Sequence, residues 1–459
     1  MEERSMRTLG KLILFGVVVF AVLQTIRPSI PTQPATAEVQ APPEIRHILD
    51  KGCFSCHSDD RRLAWFDQIV PGYWIVRHDV LTARRHLNFS TLGSQPIAAQ
   101  RASLFEAVTM IQLGAMPLPQ FTRLHPEAKI TPDELKMLKD YLAPWGPLAP
   151  PSADLPIATS DPTAIASLDT VKPEWNGVAF DPSFKSWKPL STTDRGDNNT
   201  FRFVLGNEIA VKAVRSGKIS PWPDGARLAK IAWQQELGSD GLVHPGKFIQ
   251  VELMIKDAHA YKATEGWGWG RWRGLGLKPY GTDATFVNEC TVCHLPLHGN
   301  DFVYTLPMTQ AKSAGEEVVN NHAAALPASL PYQPLGWNAL TMYVDRNTHT
   351  TSTLYGNDAA VQFMITRNSG AAGTHPPIVL PAGAVLALVS WEQRDDPHWF
   401  GARIPDTPKS IEFVQPAASG SANDYMSFSG SGLVNDRPDA VASAQRITFV
   451  LGLTPARLP

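Results

Sequence analysis

The chain is poor in cysteine, carries no excess of either charge and has no long apolar run. Only four cysteines occur in 459 residues. The formal net charge is −2, from 41 basic and 43 acidic residues, which gives no argument for nucleic-acid binding. The apolar run near the amino terminus, residues 12–23, is shorter than the roughly 20 residues a membrane-spanning helix needs. What is present is ordinary globular material. Hydrophobic residues make up 43%, enough for each domain to bury a core. The length suggests roughly three domains. The 39 prolines favour turns, linkers and short strands over long helices. The 13 tryptophans suit core packing or the walls of an aromatic pocket.

The four cysteines all fall in one pattern. Cys53-Phe-Ser-Cys56-His57 and Cys290-Thr-Val-Cys293-His294 are both C-x-x-C-H, the attachment pattern of c-type haem. Two thiols on one short turn can form thioethers to two vinyl groups of one porphyrin, and the next residue then lies under the iron. His57 and His294 are therefore the expected proximal metal ligands. A bare C-x-x-C would also suit zinc or a redox dithiol; the trailing histidine selects haem. The expected cofactors are two covalently attached c-type haems.

Arg4, Arg7 and Lys11 precede the apolar run, the plan of an export signal. Ala35-Thr-Ala37 offers a cleavage site, so residues 1–37 read as a cleaved signal or an uncleaved anchor, followed by a tether rich in Pro, Thr and Ala. Either way the body is exported, periplasmic, with residues 12–26 as a candidate inner-membrane anchor. Residues 43–51 form a short amphipathic helix with Ile45, Ile48 and Leu49 on one face. Helical patterns follow over 74–86 and 102–113, the latter stopping at Gly114. Thr131-Pro132-Asp133-Glu134 is a capping box that opens a helix to about Leu142. Residues 38–148 thus read as an α-helical c-type haem domain. Met116, before a proline about 60 residues past the attachment site, is the favoured sixth ligand, since Met/His ligation suits electron transfer. His78 and His86 are the alternatives. Arg84 and Arg85 would meet propionates or lie on a solvated helix face.

Residues 149–164 read as a proline-rich linker. Strand patterns then begin: Thr200-Phe-Arg-Phe-Val-Leu205, Ala229-Lys-Ile-Ala-Trp233 and Phe248-Ile-Gln-Val-Glu-Leu-Met254. Alternation places Phe248, Gln250, Glu252 and Met254 on one face. Lys230 sits among apolar strand neighbours, where an unpaired ammonium is costly.

Two resemblances bear on these segments. Cys53-Phe-Ser-Cys56-His57-Ser-Asp, Arg84-Arg85-His86-Leu-Asn-Phe-Ser90, Gly114-Ala-Met116-Pro-Leu-Pro119 and Leu124-His-Pro-Glu-Ala-Lys129 resemble a family of small periplasmic haem-binding domains. Leu205-Gly-Asn-Glu-Ile-Ala-Val211, Gly217-Lys-Ile-Ser-Pro-Trp-Pro-Asp-Gly225, Leu228-Ala-Lys230-Ile-Ala-Trp233, Gly266-Trp-Gly-Trp-Gly-Arg-Trp272 and Glu289-Cys-Thr-Val-Cys-His294 resemble cytochrome P-460 over residues 170–310. That resemblance implies a β-sheet domain with one haem, a lysine bonded to the macrocycle edge, an open sixth position and oxidation of hydroxylamine. Lys230 stands at the cross-linking position. Glu252 is the candidate proton acceptor, its pKa raised by burial, and Arg202 a candidate for the propionates or the distal network.

The last third repeats parts of the middle. Pro223-Asp-Gly-Ala-Arg-Leu-Ala-Lys-Ile-Ala-Trp233 aligns with Pro381-Ala-Gly-Ala-Val-Leu-Ala-Leu-Val-Ser-Trp391, and Gly206-Asn-Glu-Ile-Ala-Val211 with Gly356-Asn-Asp-Ala-Ala-Val361. Asp194-Arg195 also matches Asp345-Arg346. Residues 330–459 read as a degenerate copy with Leu388 in place of Lys230 and no haem motif. It is expected to pack on residues 165–310 as a pseudo-dimer. The expected fold class is multidomain α and β: an N-terminal α-helical c-type haem domain, then two mostly antiparallel β-sheet domains of cytochrome P-460 type. The expected function is oxidation of hydroxylamine or a related small nitrogen compound, with electrons passed to the N-terminal haem and on to a redox partner such as a soluble cytochrome. The alternative is a non-enzymatic cytochrome that binds nitric oxide or carries electrons; a peroxidase-like reaction is a third. Intact-mass measurement should find the polypeptide plus two haems, and one haem after Cys53→Ala/Cys56→Ala; an unmodified polypeptide mass would remove the motif reading.

Overall fold

The computed structural model describes residues 2–60, 63–143, 167–308, 320–368, 379–430, 432–436 and 438–459. It divides into two compact units, Met1–Pro144 and Trp145–Pro459. The proline-rich linker expected at 149–164 lies outside the described residues.

The first unit is helical. Helix α1 spans Glu2–Leu23, and its large apolar side chains from Leu9 to Val22 are exposed. No helix among the described residues is long and apolar enough to cross a membrane. Helix α2 (Pro43–Gly52) buries Ile45, Ile48 and Leu49, the face its periodicity predicts. It delivers the chain to α3 (Phe54–His57), the first haem motif itself. Helices α4 (Gly72–His86), α5 (Phe89–Leu92), α6 (Ile97–Gln112), α7 (Pro119–Leu124) and α8 (Pro132–Leu142) complete the unit. Thr131 and Glu134 form the expected capping box at the start of α8. Gly114, at φ 71°, follows the end of α6.

The stretch between α1 and α2 is not a tether. The carbonyls of Ile26, Pro28, Ser29 and Pro31 accept hydrogen bonds from Trp74, Tyr73, Arg77 and Arg84 of α4. Gln24 bonds both the N–H and the carbonyl of Val70 at 3.0 Å. The backbone of Ala37 and Val39 pairs with Ser90 and Phe89. Ile30 and Val39 are buried, each worth about 2 kcal/mol. A composition rich in Pro and Thr gave no sign of this, because the carbonyls rather than the side chains do the anchoring.

The second unit is built on antiparallel strands. Its first half runs β1 (Lys188–Arg195), β2 (Thr200–Gly206), α9 (Glu208–Arg215), β3 (Arg227–Leu237), β4 (Val243–Lys256), β5 (Trp267–Arg273), β6 (Lys278–Pro279) and α10 (Thr285–His294). Its second half runs β7 (Asn338–Asp345), β8 (Thr350–Gly356), α11 (Asp358–Asn368), β9 (Leu386–Asp395), β10 (Ala402–Pro416), β11 (Asn423–Ser429), β12 (Val434–Asn435) and α12 (Ala440–Gly452). The pairing order is β1-β2-β3-β4-β7-β8-β9-β10-β11-β12, and β1 also pairs β10. The eight strands from β1 to β10 on that path therefore close into a ring that uses both halves.

One face of the first-half strands carries Phe201, Phe203, Ala229, Ile231, Trp233, Val251 and Leu253. These form a core together with Met342 and Val344 of β7. The chain end also seals it: Ala456 and Leu458 pack there, and the Trp233 indole donates to the Arg457 carbonyl at 2.7 Å. The opposite face lies under α9 and α10, with Leu228, Trp267, Trp269 and Phe286 in a second core. The expected alternation fails at one place. Trp233 pairs with Phe248 but Ala232 with Gln250, so β4 bulges at Ile249. The extra residue turns Phe248 into the core of Val251 and Leu253, away from Gln250, Glu252 and Met254.

The halves have matching registers. Pairing runs Val204–Lys230–Glu252 in the first and Leu354–Leu388–Glu412 in the second. Asn207 caps α9 and bonds the Gly225 carbonyl; Asn357 does the same with Ala360 and Gly383. The Asp-Arg match does not hold. Lys188 opposite Gly206 and Asn338 opposite Gly356 make Asp194 the counterpart of Val344, one residue out of step with the sequence match. Arg346 instead reaches across to Asp194.

Asp194 is the polar joint between the halves. It is 1% exposed and accepts from Arg346, from Gln235 at 2.6 Å and from Gln393 at 3.0 Å. Removing it would break the Arg346 ion pair and take a buried acceptor from Gln235 and Gln393. Asp194→Ala should therefore lower the unfolding free energy of this unit by about 3 kcal/mol, read by urea denaturation, with Asp194→Asn losing less; an unchanged midpoint would show that the joint is not structural.

Candidate functional site

The first motif sits at the end of α2. Burial pushes the Cys53 thiol up to about 12 and the Cys56 thiol up to about 11. Redox dithiols have lowered values, the opposite direction. The His57 ring donates from Nδ1 to the Leu87 carbonyl at 3.0 Å. That bond fixes the tautomer and leaves Nε2 for a metal. Burial lowers the His57 pKa, which keeps it in the neutral form a ligand requires. His86 is exposed and directly precedes Leu87, whose carbonyl holds the His57 ring. His78 is also exposed. Met116 is half-buried in the loop after α6, its N–H donated to Met110 at 3.1 Å. Arg84 is taken by Asp59, at 3.1 Å, and by Pro31. Arg85 bonds within its own helix.

The second motif closes α10. Phe286 anchors that helix in the core, with Cys290 packed beside it. Burial raises the Cys290 thiol to about 12. His294 repeats the arrangement of His57: Nδ1 donates to a backbone carbonyl, here Phe302, at 2.6 Å. Burial lowers its pKa to about 4. Trp269 and Tyr304 flank the ring, with centroids at 4.6 and 4.9 Å. The loop that offers the Phe302 carbonyl is strained, with Asp301 at φ 45° and Phe302 at φ 67°. Asp301 holds it, accepting from the Trp222 N–H and pairing with Lys256, both at 2.8 Å. The sequence reading missed Lys256 and Asp301. The only signal was one more lysine in an apolar strand, the signal already used for Lys230. His298 is exposed.

Lys230, Glu252 and Arg271 stand side by side across β3, β4 and β5. They lie on the face of Leu228 and Met254, against α10. Lys230 Nζ is 2.5 Å from one Glu252 oxygen, and Arg271 Nε is 3.3 Å from the other. Gln250 also donates to Glu252. Burial pushes the Lys230 amine down to about 8. The expectation for Glu252 is overturned. Burial alone would raise its pKa, but Arg271 and Lys230 outweigh burial and hold the carboxyl well below the usual range. Strand alternation exposed its face but not its cross-strand partners. Arg202, one row along opposite Ala232, is pushed down to about 9 by burial.

This face fits a haem. Arg202 Nε, Trp222 Nε1 and Trp269 Nε1 are buried donors without acceptors, and a buried unpaired donor is costly. An acceptor-rich group such as a propionate would satisfy them. No three His, Cys, Asp or Glu side chains converge among the described residues, so the cysteines have no zinc cluster to join. In the second half the matching position is apolar. Leu388 is fully buried among Leu354, Val414 and Val450. Glu412 is retained there, but Arg446 of α12 pairs with it at 2.6 Å.

The fold and both sites define a haem cytochrome. Residues 13–144 match the family model described as a haem-binding domain, and residues 182–305 match that of cytochrome P460. The second match implies a haem oxidoreductase. Residues 306–459 lie outside both. No curated protein matches the chain.

Met116 being the favoured sixth ligand, Met116→Ala should convert the N-terminal haem from low to high spin and lower its potential. An unchanged low-spin spectrum would eliminate Met116.

Proposed function

We propose that this is an exported dihaem c-type cytochrome that oxidises hydroxylamine or a related small nitrogen compound. Cys53, Cys56, Cys290 and Cys293 hold the two haems, and His57 and His294 ligate the irons. The observation that carries the reading is the Lys230–Glu252–Arg271 row beside Cys290 and His294. Bound there, a haem supplies the redox centre that removes electrons from the substrate. With a pKa near 8, part of the Lys230 amine is neutral at neutral pH; a bond from it to a macrocycle carbon would replace that carbon's hydrogen and would pass two electrons and two protons to an external oxidant. Once bonded, Lys230 no longer offers Glu252 an ammonium. Glu252 then faces the guanidinium groups of Arg271 and Arg202 with one cation fewer, and becomes a better proton acceptor for a substrate that loses protons with its electrons. Arg202 donates to a propionate or to bound substrate. Electrons pass to the N-terminal haem, with Met116 as its sixth ligand, and then to a partner such as a soluble cytochrome. The nitric-oxide alternative asks for an apolar wall, whereas this face carries Arg202, Lys230, Gln250, Glu252 and Arg271.

We also propose that the amino terminus is an uncleaved anchor in the inner membrane. Cleavage after Ala37 would strip Ile30 from Val70, Tyr73 and Val80, and the exposed apolar side chains of α1 call for lipid. Residues 330–459 are proposed to be a duplicated copy that lost its haem, its pocket taken over by Leu388 and Arg446.

Lys230→Leu should keep the C-terminal haem attached yet lose hydroxylamine oxidation and the far-red-shifted Soret band of the reduced protein. Glu252→Gln should slow oxidation roughly 100-fold with haem content unchanged. Turnover at the parental rate in both variants would refute the assignment.

A further inference from the structure

The second half of the β unit does more than close the ring. The turn between β9 and β10, residues 396–401, reaches the loop behind His294. His398 is buried and its Nδ1 is 2.6 Å from the Tyr304 carbonyl. The Trp399 ring meets the Tyr304 ring edge-on at 5.4 Å. Tyr304 in turn meets the His294 ring at 4.9 Å, and its hydroxyl donates to the Cys293 carbonyl at 2.7 Å. Tyr304 therefore has two sides. One clamps the end of the haem-attachment helix, and the other is gripped through both backbone and ring by the second half.

The turn itself is fixed. The His398 N–H donates to Asp396 at 2.8 Å. The Gly196 N–H donates to the Gly401 carbonyl at 3.0 Å. The Arg195 guanidinium lies 4.1 Å over the Trp399 ring and is paired with Asp197. A rigid brace thus runs from β1 through Trp399 and His398 to Tyr304, two residues beyond the carbonyl that holds His294.

We infer that His398 and Trp399 are positioning residues for the C-terminal haem. They fix the segment 302–304, and through it the Nδ1 hydrogen bond and ring orientation of His294. Such a bond raises ligand basicity, so the brace favours the ferric state and a lower potential. This gives the second half a role at the site although it carries no attachment motif. The inference rests on the reading that His294 ligates a haem held by Cys290 and Cys293.

The test uses the full-length holoprotein. Haem at Cys290 and Cys293 is first verified by peptide mass; its absence from the parent would defeat the underlying reading before any variant is made. His398→Ala and Trp399→Leu should then lower the iron–histidine stretching frequency of the C-terminal ferrous haem by resonance Raman and shift its midpoint potential upward. The N-terminal haem, in the same molecule, should not move. His398→Asn, which keeps a donor near Nδ1, and Trp399→Phe should restore both readouts towards the parent. If His398→Ala does not accumulate, Trp399→Leu and its Phe rescue carry the same comparison. Parental frequency and potential in the haem-loaded variants would overturn the proposal, as would an equal shift in both haems.

Discussion

A β-sheet with two apolar or charged faces is stable only if something covers each, and this requirement governs the second unit. The odd-numbered residues of β2 and β3 need an apolar cover. Phe184, Trp187 and Trp272 of the first half supply part of it, and Met342, Val344, Ala456 and Leu458 of the second half the rest. The even-numbered residues need a cover that tolerates charge, and α10 supplies that with its cysteines and histidine. The second half thus completes a core that the first half begins. The ring closure through β1–β10 and β4–β7 follows from the same need.

The charged face shows how burial and pairing compete. Each of Lys230, Glu252, Arg271 and Arg202 is costly to bury alone. Lys230, Glu252 and Arg271 offset one another, and the balance falls differently on each. The carboxylate, flanked by two cations, is held ionised. Burial, aided by the nearby Arg202 and Arg271 and opposed by Glu252, pushes the ammonium down to about 8. Arg202 is left with an unpaired Nε. A wall holding more donors than acceptors suits an anionic group better than an apolar one. In the second half the same row holds Leu354, Leu388 and Glu412, and Arg446 closes it. There the charge balance is complete within the protein.

The two haem motifs, on unrelated scaffolds, share one solution. In each the histidine gives its Nδ1 hydrogen to a carbonyl beyond its own helix, Leu87 for His57 and Phe302 for His294. Both rings are half-buried, and desolvation lowers the pKa of each. The means differ: in the helical unit the carbonyl comes from the end of α4, and in the β unit from a strained turn held by the buried Lys256–Asp301 pair.

The sequence alone determined what depends on spacing and local chemistry. Cys53, Cys56, His57, Cys290, Cys293 and His294 stood out because each C-x-x-C-H pattern lies within five consecutive residues. The capping box at Thr131 and the buried face of α2 were legible because helices are read over one or two turns. The identity of Lys230 as the odd residue in its strand was legible for the same reason. Tertiary structure decided everything that depends on what lies across a strand or behind a ring. The state of Glu252 depends on Lys230 and Arg271, and no local pattern links the three. One bulge residue, Ile249, reversed the face of Phe248. The stretch after α1 became part of the folded unit because α4 side chains reach its carbonyls. The link from His398 to Tyr304 spans 94 residues. Hydrogen bonds to backbone carbonyls use no particular residue type at the acceptor, so they leave no trace in the sequence until the fold brings the partners together.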